Sequence, residues 1–287
     1  MIELLNKYNI ELFNNKKIIK DTTLSNSFGC CCKKIILDDQ KIYVIKFTLE
    51  KKIKYPALFY EAKSIEFMYK KFPDLFPRIY FKNKNIIILE YIKNNGKKND
   101  DYEKELALKI SQIHKVNNEK FGFNFDTPIG GLRQISDFNH SWVEFYGNNR
   151  LGMIFNEINK TEPMPKEINI GIEKILKNLK NLIPNHPTPS LIHGDLWEGN
   201  ILYNDGKLVA LIDPGIHFAH NEMEISYLKW FKFISNSFYD YYSEFIKIDK
   251  NFFNYSEIYE LYYSLLNVHL WSREYIKDTA KLVKKFN

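Results

Sequence analysis

At 287 residues, with 45% apolar and 26% charged residues, the chain has the composition of an ordinary globular protein and is long enough for one large domain or two lobes. Its net charge of +6 comes from lysines spread along the chain, with Arg nearly absent, and not from the clustered basic face that nucleic-acid binding requires. No run approaches the roughly 18 apolar residues of a membrane span, Met1–Lys7 lacks a secretion signal, and the three adjacent cysteines Cys30, Cys31 and Cys32 neither staple a fold nor space like zinc ligands, so a cytoplasmic protein without nucleic-acid or membrane partners is expected.

In chain order, residues 1–17 read as a short helix with Ile2, Leu5, Ile10 and Phe13 on one side. Two β-branched runs, 34–37 and 42–47, flank the polar turn 38–41 and predict a hairpin. Helical periodicity follows over 60–71, stopped by Pro73 and Pro77, and 78–81 with 85–91 read as a second strand pair. The wholly polar stretch 93–101 reads as a linker. Beyond it helices are expected over 102–116, 141–155, 168–182, 223–235 and in two segments between 255 and 286. The exception is a short strand pair, 191–193 with 207–213, around the turn Asn204-Asp-Gly206. A small β-rich N-lobe (1–92) thus precedes a larger helical C-lobe (93–287): an α+β, two-lobed, protein-kinase-like layout.

The stretch Leu191-Ile-His-Gly-Asp-Leu-Trp-Glu-Gly-Asn200, followed by Leu211-Ile-Asp-Pro214, carries the chemistry. Asp195, Asn200 and Asp213 repeat the Asp-x-x-x-x-Asn spacing plus later Asp with which kinase-fold phosphotransferases orient a hydroxyl and chelate Mg2+ against ATP. Asp195 is the expected catalytic carboxylate; Asn200 and Asp213 are the expected metal ligands, because Mg2+ prefers hard oxygen donors and takes the rest of its shell from phosphates and water. Taken singly, each residue reads equally well as a turn or cap residue. The combined spacing favours chemistry.

Lys46, ending Tyr43-Val-Ile-Lys46, fits the strand lysine that meets ATP phosphates, with Glu61 as its ion-pair partner and Glu66 as a rival on the same helix. Glu90, Tyr91 and Ile92 fall where main-chain groups would meet adenine. The expected phosphate loop, 26–32, holds a single glycine, Gly29, where two or three are usual. Protein kinases place Arg before the catalytic Asp and Phe after the metal Asp; here those positions are Gly194 and Pro214, and helix-forming sequence resumes by Met223. A small-molecule kinase is therefore expected, not a signalling kinase.

His193-Gly-Asp-Leu-Trp-Glu-Gly-Asn200 resembles the fructosamine kinase (ketosamine kinase) family. Phe121-Gly-Phe with Ile129-Gly-Gly-Leu-Arg-Gln134, Trp142-Val-Glu-Phe-Tyr with Arg150-Leu-Gly, Asp213-Pro214 with Glu222-Met-Glu, and Leu261-Tyr with Leu265-Leu-Asn-Val-His-Leu and Tyr275 agree in order. The resemblance implies transfer of the ATP γ-phosphate to the 3-hydroxyl of a ketosamine, the sugar adduct of a small or protein-bound lysine amine, in deglycation repair. It implies Trp197 at the acceptor or packing the catalytic loop, and Glu222 at the acceptor or buttressing a helix. His217, where the family carries aromatics after Asp-Pro, becomes an acceptor-site candidate. Cys30 falls where some members form an intersubunit disulfide, so a redox switch in a monomer or weak homodimer is an expectation, against small buried side chains beside a strand. Two other readings stay open: a kinase for another small acceptor, of the aminoglycoside or choline kind, and a pseudokinase binding module.

Overall fold

Alternating β-branched residues build an antiparallel sheet in the first ninety residues. The computed structural model describes Leu5, Tyr8, residues 10–49 and residues 52–286. Strands β1 (Ile18–Ser27), β2 (Cys30–Leu37), β3 (Ile42–Thr48), β4 (Ile79–Lys82) and β5 (Ile86–Glu90) pair in the order β1-β2-β3-β5-β4. Because side chains alternate faces, Ile86 and Ile88 join Leu5, Ile10, Ile35, Leu37, Tyr43 and Ile45 on one side. Ile87 and Leu89 pack on the other against Leu58, Ala62 and Ile65 of helix α1 (Ala57–Lys71). Burial on both faces explains why β5 reads as a continuous apolar run, each such side chain contributing roughly 1.5–3 kcal/mol.

Strand β1 carries no apolar alternation and is exposed along nearly its whole length, so nothing in its pattern announces a strand. It is an edge strand, held by its register with β2 and by an Asp21–Lys33 ion pair of 3.0 Å. Of the helix expected over 1–17, Leu5 is helical, a 3₁₀ turn spans Glu11–Phe13, and residues 14–17 leave the helical conformation before β1. Leu5 and Ile10 enter the sheet core and Phe13 packs on it, whereas Ile2 lies outside the described residues.

The later elements are α2 (Tyr102–His114), β6 (Thr127–Ile129), β7 (Leu132–Gln134), α3 (Trp142–Tyr146), a π turn (Gly147–Leu151), α4 (Gly152–Thr161), α5 (Lys166–Leu182), β8 (Pro189–Ile192), β9 (Ile201–Asn204), β10 (Lys207–Leu211), β11 (His217–His220), α6 (Asn221–Trp230), α7 (Asn236–Ser243), α8 (Phe252–Leu270) and α9 (Ile276–Lys285). The helix expected over 141–155 is interrupted by the π turn, where Gly152 approaches Gly147 O so closely that a Cβ would lie 2.5 Å away. Helix α6 ends at Trp230, earlier than expected, because Lys232 turns left-handed (φ +55°) and the Phe233 amide closes back on Leu228 O. No helix among the described residues is long and apolar enough to cross a membrane.

The expected pairing of 191–193 with 207–213 is replaced by two pairings. β9 pairs β10 across the Asp205-Gly206 turn, where both residues have positive φ, and β8 pairs β11 in the register Ile192–His217. Apolar composition alone does not distinguish these partners; the tight turn decides the first pairing.

The chain divides into two compact units: residues 1–99, 127–133 and 200–215 in one, and 100–126, 134–199 and 216–287 in the other. The β9–β10 hairpin thus groups with the five-stranded sheet, by backbone hydrogen bonds from Leu211 to Leu75 O and from Asn95 and Gly96 to Tyr203 O. A single cut at residue 92 does not capture this grouping. In the second unit α8 is buried along most of its length, and the Trp142 indole N–H donates to Tyr259 Oη at 2.9 Å within that core.

Candidate active site

Lys46 lies on the α1 face of β3, between Cys32 and Ile87 in the register. Its ammonium donates to Glu61 Oε1 of α1 at 2.8 Å and to Asp213 Oδ1 at 2.5 Å. Burial works to neutralise this ammonium, but the carboxylates of Asp213 and Glu61 outweigh it and hold Lys46 charged well above the ordinary lysine range. The rival Glu66 instead pairs with Lys82. The two glutamates are five residues apart on α1, which at 3.6 residues per turn puts them on different faces, and Glu61 is the one that faces β3.

Asn200 and Asp213 share one end of the β9–β10 hairpin. Ile201 pairs with Leu211, and one step outward the Ile212 amide donates to Asn200 O at 3.0 Å. Antiparallel register therefore makes neighbours of Asn200 and Ile212, twelve residues apart, and Asp213 follows directly. Its backbone is left-handed (φ +58°), a conformation strained for a non-glycine residue and frequent at functional sites. A carboxamide and a carboxylate are hard oxygen donors suited to Mg2+, which retains water and phosphate ligands. Among the described residues no group of three or more His, Cys, Asp and Glu could cage a metal.

The expected phosphate loop is a tight β1–β2 hairpin. Phe28 and Gly29, both at positive φ, join Ser27 to Cys30, and Gly29 O accepts from the Leu49 amide at 2.8 Å. Gly29 is the residue that such a turn needs. Glu90 spends its carboxylate on the Arg78 amide at 3.1 Å, Lys34 stands 4.0 Å over the Tyr91 ring, and Ile92 O accepts from Asn94 Nδ2 at 3.0 Å.

Asp195 belongs to the second unit, in the loop after β8, where Gly194 turns with φ +85°. A fully buried carboxylate, Glu224 of α6, holds that loop by its backbone: Oε1 accepts from the Gly194 amide at 2.7 Å and Oε2 from the His193 amide at 3.2 Å. Oε2 also meets His114 Nε2 at 2.9 Å. The consistent tautomer has His114 Nε2–H donating to Glu224 and the Tyr242 hydroxyl donating to His114 Nδ1 at 2.7 Å, while Tyr242 Oη accepts from Asn221 Nδ2 at 2.8 Å. Burial would raise the Glu224 carboxyl, but the His114 hydrogen bond, the electrostatic influence of His114 and His193 and the Gly194 amide hold it below the ordinary range. Sequence reading missed Glu224, His114 and Tyr242; the signal available was Glu224 two residues after Glu222 at the start of a helix, with nothing to say which of the two buried carboxylates meets the loop of Asp195. The Tyr227 hydroxyl, one turn after Glu224, donates to Asp195 Oδ1 at 3.4 Å.

The remaining candidates divide by burial. Trp197 is half-buried against Phe231, ring centroids 6.0 Å apart, and covers Gly199 so closely that a Cβ there would lie 2.4 Å from the indole. Glu222 is buried and structural, accepting from the Asp249 amide at 2.7 Å and from the Tyr255 hydroxyl. His217 is 1% exposed within β11 and accepts from Arg150 Nε–H at 3.2 Å. Pairing of β11 with β8 turns that side chain inward.

The fructosamine kinase family profile matches residues 10–287. The chain is 28% identical over 203 residues to the chloroplastic protein-ribulosamine 3-kinase of Arabidopsis thaliana, a match covering 70% of this chain and 61% of that protein. To a candidate ketoamine kinase of Vibrio cholerae it is 26% identical over 250 residues, covering 86% and 82%. In structure it is similar to a candidate fructosamine-3-kinase from Thermobifida fusca (TM-score 0.84, 21% identity, 97% and 98% covered) and to an ADP-bound aminoglycoside phosphotransferase (TM-score 0.61, 17% identity, 97% and 96% covered). These structural likenesses establish the fold, a protein-kinase-like α+β architecture with an antiparallel five-stranded sheet followed by a mostly helical part. The family match over nearly the whole chain goes further: this protein belongs to the fructosamine kinase family.

Proposed function

We propose that the chain transfers the γ-phosphoryl group of ATP to the 3-hydroxyl of a ketosamine, a ribulosamine or fructosamine adduct of lysine, free or protein-bound, and so acts in deglycation. The acceptor oxygen bonds to the γ-phosphorus, the bond from that phosphorus to the ADP oxygen breaks, and the hydroxyl proton passes to Asp195. The transition state is loose, so Asp195 mainly orients the nucleophile and takes its proton late. Lys46, held by Glu61, meets the nucleotide phosphates, the Phe28-Gly29 hairpin lies over them, and the 90–92 backbone meets adenine. Asn200 and Asp213 would hold a magnesium ion, which when bound supplies positive charge to the phosphates.

The observation that carries the phosphotransferase reading is Lys46 bridging Glu61 and Asp213 in a member of this family. The ketosamine acceptor is supported by the plant relatives, which are named for ribulosamine 3-phosphorylation, and by Trp197 in the loop that carries Asp195. ADP release measured with ribulosyl-lysine, fructosyl-lysine, choline and aminoglycosides tests it. Turnover confined to choline or an aminoglycoside would replace the acceptor, and absence of all MgATP-dependent turnover would favour a binding module.

A further inference from the structure

A carboxylate that orients a nucleophile must itself be oriented, because the terminal torsion of an aspartate is broad and close to two-fold. In this chain one helix face reaches the catalytic loop twice. Glu224 grips the His193 and Gly194 amides, and Tyr227, three residues on and therefore on the same face of α6, donates its hydroxyl to Asp195 Oδ1 at 3.4 Å.

We propose that Tyr227 is a positioning residue for Asp195, fixing the plane of its carboxylate so that the second oxygen is presented to the acceptor hydroxyl. The Tyr227 ring is held independently of that hydrogen bond. It is 5% exposed and stacks on the buried Tyr263 of α8 with centroids 3.7 Å apart and planes within 9°. Phe231 closes another side at 5.0 Å. Burial first, and the Asp195 charge second, push the phenol well above its ordinary pKa, so it stays protonated and acts only as a donor towards the carboxylate. Packing sets the ring, and the ring delivers the hydroxyl.

The role rests on the phosphotransferase reading, and Tyr227→Phe tests it by keeping the ring and its stack while deleting one hydroxyl. The expected result is a kcat for phosphoryl transfer lowered roughly ten- to a hundredfold, with MgATP affinity within about twofold of wild type and the thermal midpoint unchanged. An unchanged kcat overturns the role, and so does a loss of rate matched by losses in MgATP affinity and thermal midpoint, the signature of packing alone. Acceptor-independent MgATP hydrolysis is measured alongside. Wild-type protein that hydrolyses MgATP but transfers to no ketosamine overturns the acceptor reading alone, and the same comparison is then made on the hydrolysis rate. Protein that does neither overturns both.

Discussion

Glu224 Oε1 accepts the Gly194 amide proton at 2.7 Å from a helix thirty residues further along the chain. The contact places a buried negative charge under the backbone that carries Asp195, so the catalytic loop is held by main-chain groups that no substitution in the loop short of proline can remove. A loop held in this way is preorganised before substrate arrives.

Glu224→Gln leaves an amide NH2 group facing backbone N–H donors in a site without solvent. We expect a loss of about 3 kcal/mol of stability at neutral pH, measured by urea unfolding. The carboxyl is held below its ordinary value of 4.5, so its contribution is complete above that pH and disappears as the pH falls through and below it. The gap between wild type and Glu224→Gln should therefore hold above pH 4.5 and narrow below it; a gap that stays constant below pH 4.5 contradicts the assignment.

Asp195→Asn and Asp213→Asn are expected to fail differently. The first should lower kcat by roughly 10²–10⁴-fold and leave MgATP affinity nearly intact, because the missing group acts on the acceptor proton. The second should weaken MgATP binding, read by calorimetric titration. Wild-type rates from Asp195→Asn would show that another group takes the proton.

Lys46→Met leaves Glu61 and Asp213 facing one another without a cation. Breaking such a part-buried arrangement should cost about 3 kcal/mol of stability and abolish phosphate binding, whereas Glu66→Gln, at the carboxylate that pairs with Lys82, should leave both nearly unchanged. Parallel thermal melts and nucleotide titrations of the two variants separate these outcomes.

His220 gives a second pH handle. Burial, then the neighbouring His114, pull its pKa from 6.5 down to about 3, so between these values the unfolded chain binds a proton that the folded chain does not. Stability therefore falls as pH drops through this window, by up to about 1.4 kcal/mol per pH unit for one proton. Replacing His220 with Asn should flatten the stability curve between pH 6 and pH 4 by that single proton. An unaltered slope would show that His220 is protonated in the fold.

Burial pushes the Cys30 thiol up to about 12 and that of Cys32 to about 11, with Lys46 too weak to offset it. Thiolate is then scarce at neutral pH, and thiolate is the reactive form. Only monomer is expected on a non-reducing gel after peroxide treatment. A reducible dimer lost in Cys30→Ser would establish the redox switch instead.

Local pattern carried a large part of this protein. Strands β2, β3 and β5 declared themselves by β-branched runs, and helices α1, α2 and α5 by 3.6-residue periodicity, because one-sided burial imprints a period on the sequence. The residue types around Asp195, Asn200 and Asp213 pointed to phosphotransfer, since that chemistry demands a carboxylate and hard oxygen ligands at short spacings. Pairing, inwardness and support lay beyond reach of the chain's order. That β8 joins β11, that His217 turns inward, that Glu61 and not Glu66 meets Lys46, and that Glu224 and Tyr227 hold the loop of Asp195 depend on which distant face each element packs against, and only the tertiary structure decides that.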